Sequence, residues 1–159
     1  MRLSLGTTLM MHGWNHWRGG GKIAGTATWF EGLGLRPGIV QAWASVVTEL
    51  AAGVGFVLGL FTPLACAATI GVMGVAGVVA HRPNGFFVFR DGYEYVLMVA
   101  VVAVAVGAMG PGRASFDHAW GIEVAGLTGV LVAVVAGLGG TAILLATAWR
   151  PSRGSPRSE

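Results

Sequence analysis

The sequence predicts an all-α, polytopic membrane helical bundle. Three observations carry this expectation. Of 159 residues, 54% are hydrophobic and only 11% are charged, where a soluble domain carries about 25% charge. Mean hydropathy is +0.69, so polar groups are too few to cover the surface. The apolar residues gather in long runs, and none alternates as a lipid-facing barrel strand would. Backbone groups left unpaired in lipid are costly, so such runs are helices. The 27 Gly agree with this, because Gly is better tolerated in membrane helices than in soluble ones.

A span needs about 20 mostly apolar residues. The first run, Leu3 to Trp17, is short and begins abruptly after Arg2. It has the charge and apolar stretch of a signal peptide but no clear small-x-small cleavage site, so it reads as a retained span. The second run is Gly38 to Leu60, the third Leu64 to Ala80 and the fourth Tyr93 to Met109. The fifth, Ile122 to Trp149, is long enough to span with tilt. Between the first two runs, Ala24 to Leu35 mixes Trp29, Phe30, Leu33 and Leu35 with Glu31. That mixture predicts an interfacial or re-entrant segment. Gly59 to Pro63 predicts a tight turn without charge, and Pro111 to Gly121 a polar loop. The last ten residues, 150–159, are rich in Arg, Ser, Pro and Gly and predict a disordered basic tail. Beside anionic lipid such a tail is a solvated surface, and nothing else in the chain points to nucleic acid.

Five spans place the ends of the chain on opposite sides. One side then holds Arg2 and Arg113. The other holds Arg18, Lys22, Arg36, Arg82, Arg90, Arg150, Arg153 and Arg157, which makes it cytoplasmic by the positive-inside rule. Trp14, Trp17, Trp29, Trp43 and Trp149 fall near that side and Trp120 near the other, where an aromatic belt sits. Gly55 and Gly59 form a GxxxG, and Gly71, Gly74 and Gly77 add small sites in the third run. Packing within the bundle accounts for them. Cys66, the single cysteine, excludes an intrachain disulfide and reads as a packed small residue.

The informative residues are polar groups inside apolar runs, where an ionisable side chain costs at least a few kcal/mol. Glu49 lies roughly 16 Å into the second run, near the midplane. It serves either as a neutral hydrogen-bonding group between helices or as a functional carboxyl. His12 and His16 are four apart and share a helix face. The pair lacks the Glu or Cys companions of a metal site. His12 and His81, on different runs, are the one pair that a haem reading could use. His81 ends the third run and Glu94 begins the fourth. With His12 and Glu49 they are expected to converge near one membrane face, with Arg82 and Arg90 as counter-charges above them. The aromatic stretch His81 to Tyr95, with Phe86, Phe87, Phe89, Tyr93 and Tyr95, would then form the lid of a polar pocket.

These residues resemble the DoxX family of small membrane proteins. The resemblance rests on "RLSLGTTLMMHGWNHW", "GTATWFEGLGLRP", "TELAAGVGFVLGLFTPLA", "HRPNGFFVFRDGYEY" and "GPGRASFD", in family order. It implies a four-helix membrane core over residues 1–117, to which 118–149 adds a C-terminal fifth span. It also marks His12, Glu49, His81, Asn84, Gly85, Tyr93 and Glu94 as motif positions. The family's common Lys after the first His-Gly is absent here, where the chain reads "HGWNHW". The resemblance implies a subunit of a membrane redox complex, quinone-linked or thiol/sulfur-linked, as in respiratory chains. The alternatives are a non-catalytic scaffold or accessory subunit of a membrane complex and a small-solute transporter. No cofactor is specified by any motif. A quinone is compatible with the aromatic, polar pocket, and no metal is expected. Expected partners are the bilayer of the cell membrane and other membrane subunits.

Overall fold

The computed structural model describes residues 1–151. Of the tail expected at 150–159, residues 152–159 lie outside the described residues. Among the described residues seven helices account for most of the structure: α1 (Arg2–Arg18), α2 (Lys22–Gly32), α3 (Gly38–Leu58), α4 (Thr62–Asn84), α5 (Glu94–Met109), α6 (Phe116–Ala119) and α7 (Gly126–Ala148). Among the described residues the only β pairing is a single bridge between Leu35 and Trp149. The architecture is a helical membrane bundle.

Three helices, α3, α4 and α7, are long and apolar enough to cross a membrane. At 21 and 23 residues they reach roughly 32 and 35 Å, against a hydrocarbon core of about 30 Å. α5 is apolar but has 16 residues. α1 has 17 and carries Ser4, Thr7, Thr8, His12, Asn15 and His16 among its apolar residues, so it is the most mixed of the five expected runs. Most of the stretch 24–35, expected to be interfacial or re-entrant, forms α2. It folds back on the end of α1, where the Thr26 hydroxyl donates to the His16 carbonyl at 2.8 Å. The Glu31 carboxylate accepts the Gly38 N–H at 3.1 Å and so caps the start of α3.

Close approach between helices is set by glycine. α1 runs antiparallel to α3, and a Cβ on Gly6 would stand 2.7 Å from the Gly53 carbonyl oxygen. On the far side of the bundle, a Cβ on Gly137 of α7 would stand 2.7 Å from the Ile70 Cβ and 2.8 Å from the Ala67 carbonyl of α4. Thr141 of α7 donates to the Gly71 carbonyl of α4 at 3.1 Å. The expected packing role of Gly71 and Gly74 is therefore at the α4–α7 contact. Gly59 acts differently. At φ 63° it ends α3 in the left-handed region, and the Leu60 N–H returns to the Gly55 carbonyl at 2.8 Å, a helix-terminating motif.

The turn at 59–63 lacks charge of its own but is held by one. Asp117, fully buried, accepts the N–H groups of Phe61 at 2.7 Å and Thr62 at 2.8 Å. Those are donors that the first turn of α4 leaves without helical partners, and a carboxylate there is also favoured by the helix dipole. Phe61 is held at φ 48° beside it. Arg2 donates to the Ala114 carbonyl at 2.5 Å. The N-terminus, the 59–63 turn and the 111–121 loop thus meet at one end of the bundle. At the other end, the Arg36 N–H donates to Ala148 O and the Arg150 N–H to Gly34 O, at 2.8 and 2.7 Å. The Trp149 indole adds a bond to Leu33 O at 3.0 Å.

Both α4 and α7 contain a π-turn, at Gly77–His81 and Val132–Ala136. Each shifts the register of the residues that follow it.

Gly53→Leu is expected to lower stability by about 1–3 kcal/mol through overpacking, because a Cβ there meets Met10 and the Gly6 carbonyl. Gly32→Leu, where a Cβ meets nothing within 4 Å, is expected to leave the melting temperature in detergent unchanged. Equal melting of the two variants would contradict the α1–α3 contact.

Candidate functional site

Glu49 is the only acidic residue inside the three long apolar helices, and it is 3% exposed. One turn earlier on α3, Ser45 donates its hydroxyl to Glu49 Oε1 at 2.5 Å. The His16 Nε2 of α1 stands 3.7 Å from the same oxygen. Oε2 is buried without a hydrogen-bond partner, a condition that costs about 1–3 kcal/mol or more for a charged group. Gly13 allows this arrangement. A Cβ there would lie 3.2 Å from the Glu49 Cβ and 3.0 Å from Leu50 Cγ, so its bare backbone lets α1 lie against the carboxyl-bearing face of α3.

The His16 ring is fixed by α2. It stacks with Trp29 at a centroid distance of 6.1 Å and meets Phe30 edge-on at 5.8 Å. These rings close one end of a cavity of about 330 Å³. Its floor is α4, with Ala68, Gly71, Val72, Val75 and Ala76. One wall is α3, carrying the polar residues Gln41, Ser45, Thr48 and Glu49. The opposite wall is α7, with Ala136, Gly137, Gly140 and Leu144. No Lys or Arg lines it. Both π-turns border it, through Val79 and Ala80 on α4 and Ala136 on α7. Such turns recur at functional sites.

The other residues expected at the site occupy different places. His12 is exposed, with its Nε2 3.2 Å from the Tyr95 hydroxyl and the two rings stacked at 5.8 Å. This ties α1 to the start of α5. It is His16, one turn along, that reaches Glu49. His81, Asn84 and Glu94 organise the loop between α4 and α5. His81 Nδ1 donates to the Asp91 carbonyl at 2.7 Å, and the Asn84 amide donates to Ala80 O and Asp91 O, both at 3.3 Å. Glu94 Oε2 accepts the Val88 N–H at 2.9 Å. Arg82 and Tyr93 line a second, more open hollow between α4 and α5. Arg90 lies over the Phe89 ring at 5.9 Å. Phe86, Phe87 and Phe89 are exposed, and none of the residues from His81 to Tyr95 lines the Glu49 cavity. The loop is closed by its own hydrogen bonds and borders the cavity helices rather than covering the cavity.

His12 and His81 are thus committed to separate partners. Among the described residues, no three His, Cys, Asp or Glu side chains stand close enough to share a metal ion. One contributor, Ser45, was not singled out from the sequence, although it is the hydroxyl one turn from Glu49. His16 was paired with His12 there, but it was His12 that was expected to meet Glu49.

Compared with known families, the chain matches DoxX over residues 1–82, just over half of its 159 residues. The chain belongs to the DoxX family. No curated protein and no solved structure gave a significant match. The matched stretch contains α1, α2, α3 and most of α4, and with them His12, His16, Ser45, Glu49 and His81. The α7 wall of the cavity lies beyond it. The family match and the apolar helices together make this an integral membrane protein in contact with lipid.

In infrared difference spectra on pH change, the band lost in Glu49→Gln is expected to move in Ser45→Ala, which removes the 2.5 Å hydrogen bond. Thr147→Val, whose hydroxyl bonds the Ile143 carbonyl on α7 instead, is expected to leave its frequency unchanged. A band insensitive to Ser45→Ala would contradict the geometry.

Proposed function

We propose that this DoxX-family protein is a multi-pass subunit of the cell membrane that supplies a quinone-binding pocket to a larger redox complex, in a quinone-linked or thiol/sulfur-linked respiratory chain. The observation that carries this reading is Glu49, a carboxyl 3% exposed, with one oxygen unpartnered, on the wall of an apolar cavity. A carboxyl held in an apolar span at such cost is a functional group by default. The cavity, about 330 Å³, falls at the small end of ligand sites, which run from about 300 to 1,000 Å³. That suits a single ring with the start of its tail.

The lining favours a neutral headgroup. Ser45, Thr48, Gln41 and Glu49 offer hydrogen bonds, while no Lys or Arg is present to balance a phosphate. Trp29 and Phe30 offer aromatic faces for a ring. Glu49 would accept the proton of a quinol hydroxyl, or return one to a quinone, with His16 Nε2 3.7 Å from its carboxyl. The chain contributes binding, orientation and proton handling. The electrons pass to an acceptor held by a partner subunit, because the sequence has no nucleotide fingerprint and only one Cys.

The accessory-subunit reading is favoured by α7. It is the least enclosed of the three long helices, with Leu127, Val135 and Ile143 turned outward. On that reading, Glu49, Ser45 and His16 form a network that holds α1 to α3.

Purification from native membranes in mild detergent, with partner identification and an absorption spectrum, tests the proposal. Stoichiometric partners bearing haem or flavin are expected. Glu49→Gln is expected to keep those partners but to lower quinol-dependent turnover about 100-fold or more, the usual weight of a proton-transferring group. Full turnover in Glu49→Gln would remove the proton role. Partners without redox activity would favour the accessory reading.

A further inference from the structure

The family match ends at residue 82, but the cavity does not. Its fourth side is α7, and this side is built unlike the others. α3 and α7 both pack on α4 and make no extensive contact with each other. Between them, the rim residues Ala44 on α3 and Ala136 and Gly140 on α7 are small and exposed. They lie within two of the helices apolar enough to span a membrane, so the gap they frame faces the acyl chains. At Gly140 a Cβ would meet nothing within 4 Å. The glycine is not needed for helix packing there, in contrast to Gly137 three residues earlier, where a Cβ would strike Ile70. A small-residue mouth on a helix whose other lipid-facing residues are bulky (Ile143, three residues beyond Gly140, is 67% exposed) leaves a slot of open space beside a buried polar group.

We infer that α7 completes the site as a side door. A membrane amphiphile with a neutral, hydrogen-bonding ring headgroup slides in from the bilayer between α3 and α7. Its head reaches Glu49 and Ser45, and its tail leaves over Gly140. Gly140 is the residue that sets how thick a tail the slot admits. This rests on the reading of the cavity as a quinone site and adds the route, the wall and the specificity position. The occupant is argued from three features. Glu49 is more than nine-tenths buried, lines the cavity and has an unpartnered oxygen, so it asks for a polar head. The floor of Ala, Gly and Val asks for hydrocarbon. The missing Lys and Arg disfavour an anionic phosphate head.

Two photoreactive probes with the same diazirine-bearing decyl tail test this in proteoliposomes. One has a benzoquinone head and the other a phosphocholine head. Labelled residues are located by mass spectrometry. For the wild type, the quinone probe is expected to label the cavity floor at Ala68, Val72 and Ala76, well above the phosphocholine probe. Gly140→Phe is expected to cut floor labelling at least tenfold. Gly139→Phe, which has equally open space but does not line the cavity, is expected to leave it unchanged. If Gly140→Phe labels like the wild type while Glu49→Gln loses the quinone signal, the side door is overturned and the quinone reading stands. If both probes label the floor equally and both are blocked by Gly140→Phe, the slot through α7 stands and the quinone headgroup is overturned. If neither probe reaches the floor, both are overturned.

Discussion

The bundle depends on how closely its helices can lie against α4. α3, α5 and α7 all pack on it, and its surface is graded to suit. Toward α7 it presents Ala67, Gly71 and Gly74, so that Gly137 and Thr141 come nearly to backbone contact. Within lipid the hydrophobic effect does little to press helices together, and dispersion contacts and interhelical hydrogen bonds must do so. Small residues serve that need because they shorten the distance over which those forces act. Two of these small residues, Ala67 and Gly71, also line the cavity between α3 and α7. The site is therefore a by-product of the packing rule: a helix trimmed for close contact leaves a hollow wherever a neighbour turns away.

Ends of helices present the second constraint, because their free N–H and C=O groups need partners before the helix can sit beside an apolar phase. Asp117 meets this need for α4 and Glu31 for α3. Both are acidic residues from other elements, set at helix N-termini where the dipole favours negative charge. Gly59 and its return bond from Leu60 close α3 on the same turn that Asp117 clamps. Acidic residues are few in this chain, and two of the seven are spent on capping. Glu94 likewise accepts the Val88 N–H, whereas the buried Glu49 carboxyl takes the Ser45 hydroxyl and caps no helix.

The runs of apolar residues made the long helices legible, and α3, α4 and α7 begin and end within a few residues of where hydropathy places them. Register was not legible, since an apolar helix reads much the same from every side. Thus Glu49 could be placed at depth in the sequence, yet whether His12 or His16 met it depended on α1's rotation. That rotation is set by Gly6 and Gly13 against Gly53 and Leu50, contacts that no pattern of polar residues encodes. Asp117 was hidden for a related reason. It lies in a polar loop where one more acid attracts no notice, and its role comes from a turn some fifty-five residues away.

The distinction between a structural and a functional Glu49 turns on what a purely structural group would need. Glutamine or serine at that place would donate and accept across the α1–α3 contact at lower desolvation cost than a carboxyl. Ser45 already satisfies one oxygen, and the second gains nothing from the protein. A helix-joining network that leaves half of its central group unpaired is poorly made for joining helices. On the proposed reading the group serves a partner that arrives from outside: Glu49 lines the hollow, and His16 Nε2 stands 3.7 Å from its other oxygen. The imbalance in hydrogen bonding, more than the presence of a carboxyl in an apolar span, is what the proposed reading rests on.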